Sequence, residues 1–573
     1  MQKEEYKTEV HILKIVIVGG VAGGATAAAR LRRLNEKAEI IIIERSGYIS
    51  YANCGLPYYI GGEITKKESL TLQTPESFFK RFRIDVRVKQ EVTTIDAEHK
   101  VVKVSNLQTD EVYEESYDKL ILSPGAKAVK PNIEGTDLEK VFTLRTVEDT
   151  FAIDEFIKEK QPKSATVIGG GFIGLEMAEN LIHKGLEVTV VQRSGHVMPT
   201  IDGDMAAILH NYMRNHGIKL CLNSGVTRLS EENGLMKTYI KDKEPVESDM
   251  IILAVGVVPE SELAKKAGLE LGIKGAIVTN AHMQTSNPDI YAVGDAVEVI
   301  HHVTGKKAVI SLAGPANKQG RIAADHICGI ASEFKGSQGS SIMKMFDMTV
   351  ASTGLSKTAA DREGYDSDYV VLTSASHASY YPGAESMHIK VVFEKGTGRI
   401  LGAQIVGFGG ADKRIDVLAT AIRANMDAYD LTELDLAYAP PYSSAKDPVN
   451  MAGFAICNIL DGNVKQVHWE DVEELPENAT VLDTRTDAEY ARGHLECAMH
   501  IPLDSLRERM QELPKDKVLY VHCQSGLRSY LACRILMQYG YECYNVSGGY
   551  GFYQNIMLDK QMEREGTGPC GLK

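Results

Sequence analysis

Leu13-Lys14-Ile15-Val16-Ile17-Val18-Gly19-Gly20-Val21-Ala22-Gly23-Gly24 is the stretch that decides how this chain folds. Its β-branched run reads as a short buried strand, and the glycines that follow impose a tight turn. The alanine-rich segment Ala25 to Leu34 then reads as a helix. Ile40-Ile41-Ile42-Ile43 is a second buried-type strand, and it ends on Glu44. The whole is a βαβ unit with a glycine turn before its helix and an acid at its far end. In such a turn the backbone can approach a pyrophosphate, the first N–H groups of the helix face the anion, and the acid takes ribose hydroxyls. Gly19, Gly20, Ala22, Gly23, Gly24 and Glu44 are therefore candidate nucleotide contacts. Val21 stands where the usual spacing has its middle glycine, so the room must come from Gly20, Gly23 and Gly24.

The pattern recurs about 150 residues later. Ala165-Thr166-Val167-Ile168 leads into Gly169, Gly171 and Gly174 at the full G-x-G-x-x-G spacing, and a helix and the strand Glu187 to Val191 follow. At the place of Glu44 this unit has Gln192-Arg193. A carboxylate there would repel a 2′-phosphate, and its absence beside an arginine permits one, so NADPH, or both NADPH and NADH, is expected. A third element, Ile290-Tyr291-Ala292-Val293-Gly294-Asp295, is an apolar strand ending in Gly-Asp.

Length and composition set the frame. At 573 residues the chain is too long for one core, and three or four domains are expected. A net charge of −14 argues against general nucleic-acid affinity but leaves room for a local basic pocket. The nine cysteines are scattered, with neither zinc-finger spacing nor a secreted-domain framework, so no metal site is expected. The start, Met1-Gln2-Lys3-Glu4-Glu5-Tyr6-Lys7, lacks signal-peptide character, and no apolar run approaches a membrane span. The expected location is the cytoplasm, with no membrane or nucleic-acid partner. From about Ser341 to Gly462 alternating strands and a helix from Lys413 to Asn425 suggest an α+β domain. Gly462-Asn463-Val464-Lys465 reads as a linker, and a fresh α/β unit follows.

Together the three motifs resemble the pyridine nucleotide–disulfide oxidoreductase family over about residues 10 to 460. The resemblance implies an α/β protein with an FAD domain (10–145 and 275–340) interrupted by an NAD(P) domain (146–274) and followed by a dimerisation domain (341–462). It implies a homodimer, with Asp295 on the ribityl chain of FAD. Family members that reduce ordinary disulfides carry two cysteines five apart after the first unit. Here Ser50-Tyr51-Ala52-Asn53-Cys54 is followed by Gly55-Leu56-Pro57-Tyr58-Tyr59, so Cys54 has no local partner. A single thiolate beside flavin can form a mixed disulfide or persulfide with a substrate, or a sulfenic acid with peroxide.

The segment is most similar to the coenzyme A–disulfide reductases. That likeness implies coenzyme A as substrate or bound ligand, held by Thr26, Arg30, Arg33, Ser50, Asn53, Asn317 and Lys446. It also implies a tyrosine pair, for which Tyr380 and Tyr438 are the candidates, with Tyr381 and Tyr442 close enough in sequence to be confused with them.

Residues 466–573 contain a second lone cysteine in Cys523-Gln524-Ser525-Gly526-Leu527-Arg528, after the strand Val518 to His522. A loop of this kind can turn backbone N–H groups onto an anion. With Leu482-Asp483-Thr484-Arg485 and Glu489-Tyr490-Ala491-Arg492-Gly493-His494 upstream, it resembles a rhodanese domain. That implies Cys523 as sulfane-sulfur acceptor and Arg528 as its loop partner.

The function implied is an FAD-dependent NAD(P)H reductase of coenzyme A disulfide, coenzyme A persulfide or polysulfide, coupled to sulfane-sulfur handling. Two alternatives stand beside it: an NADH oxidase or peroxidase with a Cys54 sulfenic acid, and a flavin-bearing sulfur carrier or redox sensor.

Overall fold

A computed structural model describes residues 11–472, 475–476 and 478–564. The opening motif forms a strand, Lys14–Val18, at the centre of a parallel sheet ordered Ile290–Ala292, Lys119–Leu122, Lys14–Val18, Glu39–Glu44, Asp85–Val88. Such central strands are covered on both faces, and Ile40 to Ile43 are all buried as their unbroken apolar run predicts. The second motif repeats the arrangement in a sheet ordered Val141–Phe142, Met250–Leu253, Ser164–Ile168, Glu187–Val191, Lys219–Cys221. Each unit also carries a three-stranded antiparallel sheet, Gln90–Asp96 with Val101–Asn106 and Val112–Ser116 in the first, and Val226–Glu232 with Leu235–Ile240 and Val246–Ser248 in the second.

The first helix starts a turn earlier than its alanines suggest, at Ala22, and runs to Leu34. Glycine makes this possible. A Cβ on Gly24 would lie 1.9 Å from the carbonyl oxygen of Gly19, and one on Gly23 would lie 2.8 Å from Val293 Cγ2. Gly174 repeats the first contact, at 1.9 Å from the carbonyl oxygen of Gly169. Only a residue without a side chain lets the helix leave the strand end so closely.

Two domain edges fall elsewhere than at 145/146 and 274/275. Val141–Phe142 already pairs with Ile251 and Ile252 of the second sheet. On the return, Val257–Pro259 pairs with Ala126–Ala128, and Leu263, Ala264 and Leu269 pack in the core of the first unit. The two crossings therefore run side by side as an antiparallel ribbon, and a two-residue strand has no periodicity that would betray it in sequence.

The third domain is an antiparallel sheet ordered Ser341–Met345, Met348–Gly354, Ile400–Gly407, Ser386–Glu394, Ser367–Ala375. The helix expected at Lys413 to Asn425 runs from Ala411 to Arg423. The last domain is a parallel sheet ordered Lys465–Val467, Cys543–Val546, Val518–His522, Ala479–Asp483, Ala498–His500.

This last domain is docked on the others. Its final helix, Gly549–Arg564, packs against Gly203–Asn215 of the second unit. There Asp559 accepts from His210 Nδ1 at 2.8 Å and also pairs with Arg214. His468 bonds Asp368 at 2.7 Å, and Ser547 Oγ accepts from the Val371 amide at 3.1 Å. Burial holds His210 below its ordinary pKa. For Asp559 burial would raise the carboxyl, but His210 and Arg214 hold it below the usual range. With both folded-state values depressed, the docking is at full strength above the ordinary histidine range, about 6.5, and weakens as the pH falls. Asp559→Ala, which strands Arg214 and His210, is expected to cost about 3 kcal/mol. Calorimetry should show an early, separate C-terminal transition in this variant, and limited proteolysis at Gly462 to Lys465 should be faster for it and for the parent protein at acid pH. A single unshifted transition would refute this account of the docking.

Candidate functional site

The two glycine helices begin without caps. Neither Ala22–Leu34 nor Phe172–His183 has a side-chain cap or an acid in its first turn. By contrast, the helices starting at Pro75, Val147 and Ala428 all carry capping boxes. The leading amides of the glycine helices are thus left for an outside acceptor, as an anion site requires. A Cβ on Gly171 would meet nothing within 4 Å, so the second turn borders open space.

Glu44 Oε2 accepts from the Gly20 amide at 2.9 Å and Oε1 from the Ser46 amide at 2.8 Å. Gln192 does the same in the second unit, accepting from the Gly170 amide at 3.0 Å. It takes the place of Glu44 without the charge, and Arg193 beside it is exposed. Gly294 donates to Gln319 Oε1 at 2.8 Å, and Asp295 pairs with Arg145 at 2.8 Å. This donor set fits the two dinucleotides that the motifs imply.

Cys54 lies in the short turn Asn53–Gly55, just before the helix Leu56–Gly61. Its thiol is free and solvent-exposed on one side, while the other side is hemmed in by protein. That partial burial pushes its pKa up, and Glu176 and Asp295 add to the rise against the charge of Arg145. Asn53, with its amide nitrogen toward the Arg145 carbonyl, donates to it at 3.0 Å and accepts from the Arg145 guanidinium. Glu176 comes from the second glycine helix, accepts from Tyr58 Oη at 3.4 Å, and is pushed up to about 7 by burial. Cys54 is therefore bordered by charges from both nucleotide units. Glu176 directly follows the Gly174-Leu175 end of its motif, a signal that could have marked it. Arg145 has no local signal.

The tyrosine candidates meet. Tyr380 Oη and Tyr438 Oη are 2.9 Å apart, with the residues 75% and 46% exposed. The hydrogen bond from Tyr380 raises the Tyr438 pKa. Tyr381 instead sets its ring edge-on to His377, and Tyr442 is exposed. Among the described residues no hydrogen bond joins Cys54 to either Tyr380 or Tyr438 of the same chain.

The other candidates divide. Thr26 Oγ1 donates to Asn317 Oδ1 at 2.6 Å, which brings together two of them. Arg30 is less available than expected, because its guanidinium pairs with the buried Asp325 at 2.7 Å and ties its helix to Ala313–Ile327. Arg33 is exposed on the same helix, and Lys446 is exposed in the loop that follows Tyr438. Ser50 has φ of +44° and is anchored by its amide to the Gly20 carbonyl at 2.8 Å.

At the far end of the chain, Cys523 follows the central strand Val518–His522 and is fully buried. Its Sγ accepts from the Gly526 amide at 3.1 Å and from Ser529 Oγ at 3.4 Å. The loop is clamped from behind by the Tyr550 amide on the Cys523 carbonyl at 2.7 Å and the Gly551 amide on the Gln524 carbonyl at 3.0 Å. A Cβ on Gly549 would fall 2.6 Å from the Ser525 nitrogen, so glycine is needed for that approach. The following helix starts at Leu527, which puts Arg528 in its first turn rather than at the close of a free loop. Arg528 forms a two-pronged pair with Glu489, both contacts at 2.7 Å, and this pair is the main cause that holds the Glu489 carboxyl down to about 2.

The comparisons with known proteins agree with this geometry. The family description "Pyridine nucleotide-disulphide oxidoreductase" matches residues 13–320, its dimerisation domain matches 340–448, and "Rhodanese-like domain" matches 468–555. Coenzyme A disulfide reductase of Staphylococcus epidermidis is 41% identical over 443 residues, 77% of this chain and 99% of that protein. The solved structure of reduced CoADR-RHD from Bacillus anthracis is 50% identical and superposes with a TM-score of 0.94, covering 96% of this chain and 99% of that one. A NAD-dependent persulfide reductase from A. fulgidus is 38% identical with a TM-score of 0.89, covering 94% and 100%. With the first match spanning more than half of its length and the two solved structures covering it nearly end to end, the chain belongs to the pyridine nucleotide-disulphide oxidoreductase family and carries a rhodanese-like domain at residues 468–555.

Proposed function

We propose that this protein is an NAD(P)H-dependent flavoenzyme that reduces the sulfur–sulfur bond of coenzyme A disulfide, coenzyme A persulfide or polysulfide, while its rhodanese domain accepts sulfane sulfur on Cys523. The observation that carries the reading is Cys54, a free thiol with no cysteine partner, which feels the charges of Asp295 of the first nucleotide unit and of Glu176 and Arg145 of the second. The relatives named for coenzyme A disulfide and persulfide reduction support the choice of substrate.

The first glycine turn (Gly19, Gly20, Ala22, Gly23, Gly24), Glu44 and Asp295 would hold FAD, and Gly169, Gly171, Gly174, Gln192 and Arg193 would hold NAD(P)H. FAD held there would supply the two-electron chemistry that connects NAD(P)H to the sulfur–sulfur bond. The chain's own residues do the rest. The Cys54 thiolate attacks one sulfur of the substrate, forming a mixed disulfide or persulfide and releasing the other sulfur as a thiolate. A phenol donates the proton that this thiolate needs. The overall balance is R–S–S–R′ + NAD(P)H + H⁺ → RSH + R′SH + NAD(P)⁺, with R′ a hydrogen atom for a persulfide.

The exposure of the Tyr380–Tyr438 pair and the dimerisation-domain match support a homodimer in which these phenols serve Cys54 of the other subunit. Thr26, Asn317, Arg33, Ser50, Asn53 and Lys446 are assigned to coenzyme A. A reducing cytoplasmic setting fits two working thiols, and small-molecule sulfur compounds are the partners.

Cys54→Ser is expected to keep rapid flavin reduction by NAD(P)H in stopped flow while losing at least about a thousandfold of turnover with coenzyme A disulfide or persulfide. Fast NAD(P)H oxidation with oxygen alone, indifferent to every sulfur substrate, would sink the proposal. Tyr380→Phe and Tyr438→Phe should each lower kcat about a hundredfold with little change in flavin reduction, and the double variant should be no worse than about the weaker single one, because the hydroxyls act as a unit. Independent, multiplying losses in the double variant would argue against a shared proton donor. Gln192→Glu should weaken NADPH at least about tenfold relative to NADH by placing a carboxylate against the 2′-phosphate. An unchanged NADPH/NADH ratio of kcat/KM would place specificity elsewhere.

A further inference from the structure

The second glycine helix carries a cluster that the reaction above does not use. Glu179 and His183 lie one turn apart near its C-terminal end and share a face. Glu63 reaches the same point from the turn that follows the helix Leu56–Gly61. One ligand atom from each of Glu63, Glu179 and His183 lies within 4.8 Å of the others. The turn is pressed onto the helix, since a Cβ on Gly61 would lie 1.8 Å from Asn180 Oδ1. A third domain closes the corner. The hairpin between Ser341–Met345 and Met348–Gly354 places the Phe346 amide on Glu179 Oε1 at 2.9 Å and the Phe346 ring edge-on to His183.

Acidic groups gathered at a surface are common, and alone they would mean little. The informative atom is Glu179 Oε2. Glu179 is fully buried, Oε1 is satisfied by Phe346, and Oε2 makes no hydrogen bond. A buried carboxylate oxygen without a donor is costly unless a cation or donor meets it. The nearby lysine does not do this directly, since Lys344 lies 3.6 Å from Glu63. Glu63 and His183 are exposed, so an ion has an entry path and can keep waters in its remaining positions.

We propose that Glu63, Glu179 and His183 form a binding site for a divalent transition-metal ion at the junction of the first nucleotide unit, the second and the third domain. One imidazole and two carboxylates suit Mn²⁺ or Zn²⁺, whereas Ca²⁺ and Mg²⁺ favour sets made of oxygens alone. The ion would bind the turn carrying Glu63, which lies one short helix beyond Cys54, to the helix that carries Glu176.

The test is a titration of the FAD-loaded protein, cleared of metal by chelator, with Mn²⁺, following the EPR signal of the free ion. Mn²⁺ is chosen because it prefers oxygen and nitrogen over thiolate, so Cys54 and Cys523 do not compete. The expected result is one saturable site per chain. His183→Ala and Glu63→Gln should each raise its Kd at least about tenfold, Lys344→Met should lower it by removing a competing cation, and Glu247→Gln on a distant strand should leave it unchanged. Both replaced ligands are surface side chains, and an unchanged melting temperature without metal confirms that the variants fold. Absence of saturable binding below about 1 mM, or equal affinity in His183→Ala, Glu63→Gln and the parent protein, would overturn the proposal.

Discussion

Two carbonyl oxygens set the geometry of both nucleotide units. Those of Gly19 and Gly169 each lie so close to the helix that follows that a Cβ on Gly24 or Gly174 would sit 1.9 Å away. The close approach sets each helix directly on the end of its central strand, with no side chain between. It also aims the uncapped helix start at the carboxyl edge of the sheet, where a parallel α/β sheet places its ligand. The acid or amide at the end of the neighbouring strand then closes the turn from the other side, Glu44 on Gly20 and Gln192 on Gly170. Cys54 then feels charges from both units: Asp295 from the first, Glu176 and Arg145 from the second.

The two candidate thiols stand in opposite settings. Cys54 is exposed on one side and its pKa is raised, chiefly by partial burial and by Glu176, with Arg145 opposing. Such a thiol becomes a nucleophile when its surroundings favour the anion, and among its charged neighbours Arg145 is the group that does so. Glu176, which raises the Cys54 pKa by its charge, is itself pushed up to about 7 by burial. Cys523 instead is closed in, with donors already directed at its sulfur.

What the amino-acid order revealed follows from the range of the forces involved. Strand, turn and helix in each nucleotide unit are local, and the runs at Val16 and Val167 with their glycines were enough to place them. Tyr380 and Tyr438 were legible through the likeness of two separate motifs, and the 2.9 Å contact between them unites segments 58 residues apart. Arg145 stands in no motif, and its role exists only because Asp295 and Asn53 converge on it from distant segments. The same holds for Arg30, whose neutralisation by Asp325 depends on two helices crossing. The ribbon of Ala126–Ala128 with Val257–Pro259 escaped notice because strands this short carry no alternation to read.

The position of Arg528 changes how the sulfur loop must work. A guanidinium paired at 2.7 Å through both its prongs is, seen from outside, a dipole rather than a free positive charge. Arg528 nonetheless also reaches Cys523, which helps to raise the guanidinium pKa by charge and by a side-chain hydrogen bond, while Glu489, held down to about 2, stays ionised at neutral pH. The Gly526 amide, 3.1 Å from Sγ, and the Ser529 hydroxyl act at contact distance and carry no counter-charge of their own. Backbone geometry prepares the loop for a sulfur anion beside the Arg528 charge, through the φ of +97° at Gly526 and the Tyr550 and Gly551 amides behind it. The arginine–glutamate pair also ties the first turn of the helix Leu527–Gln538 to Asp487–Ala491, so one guanidinium serves both that tie and Cys523.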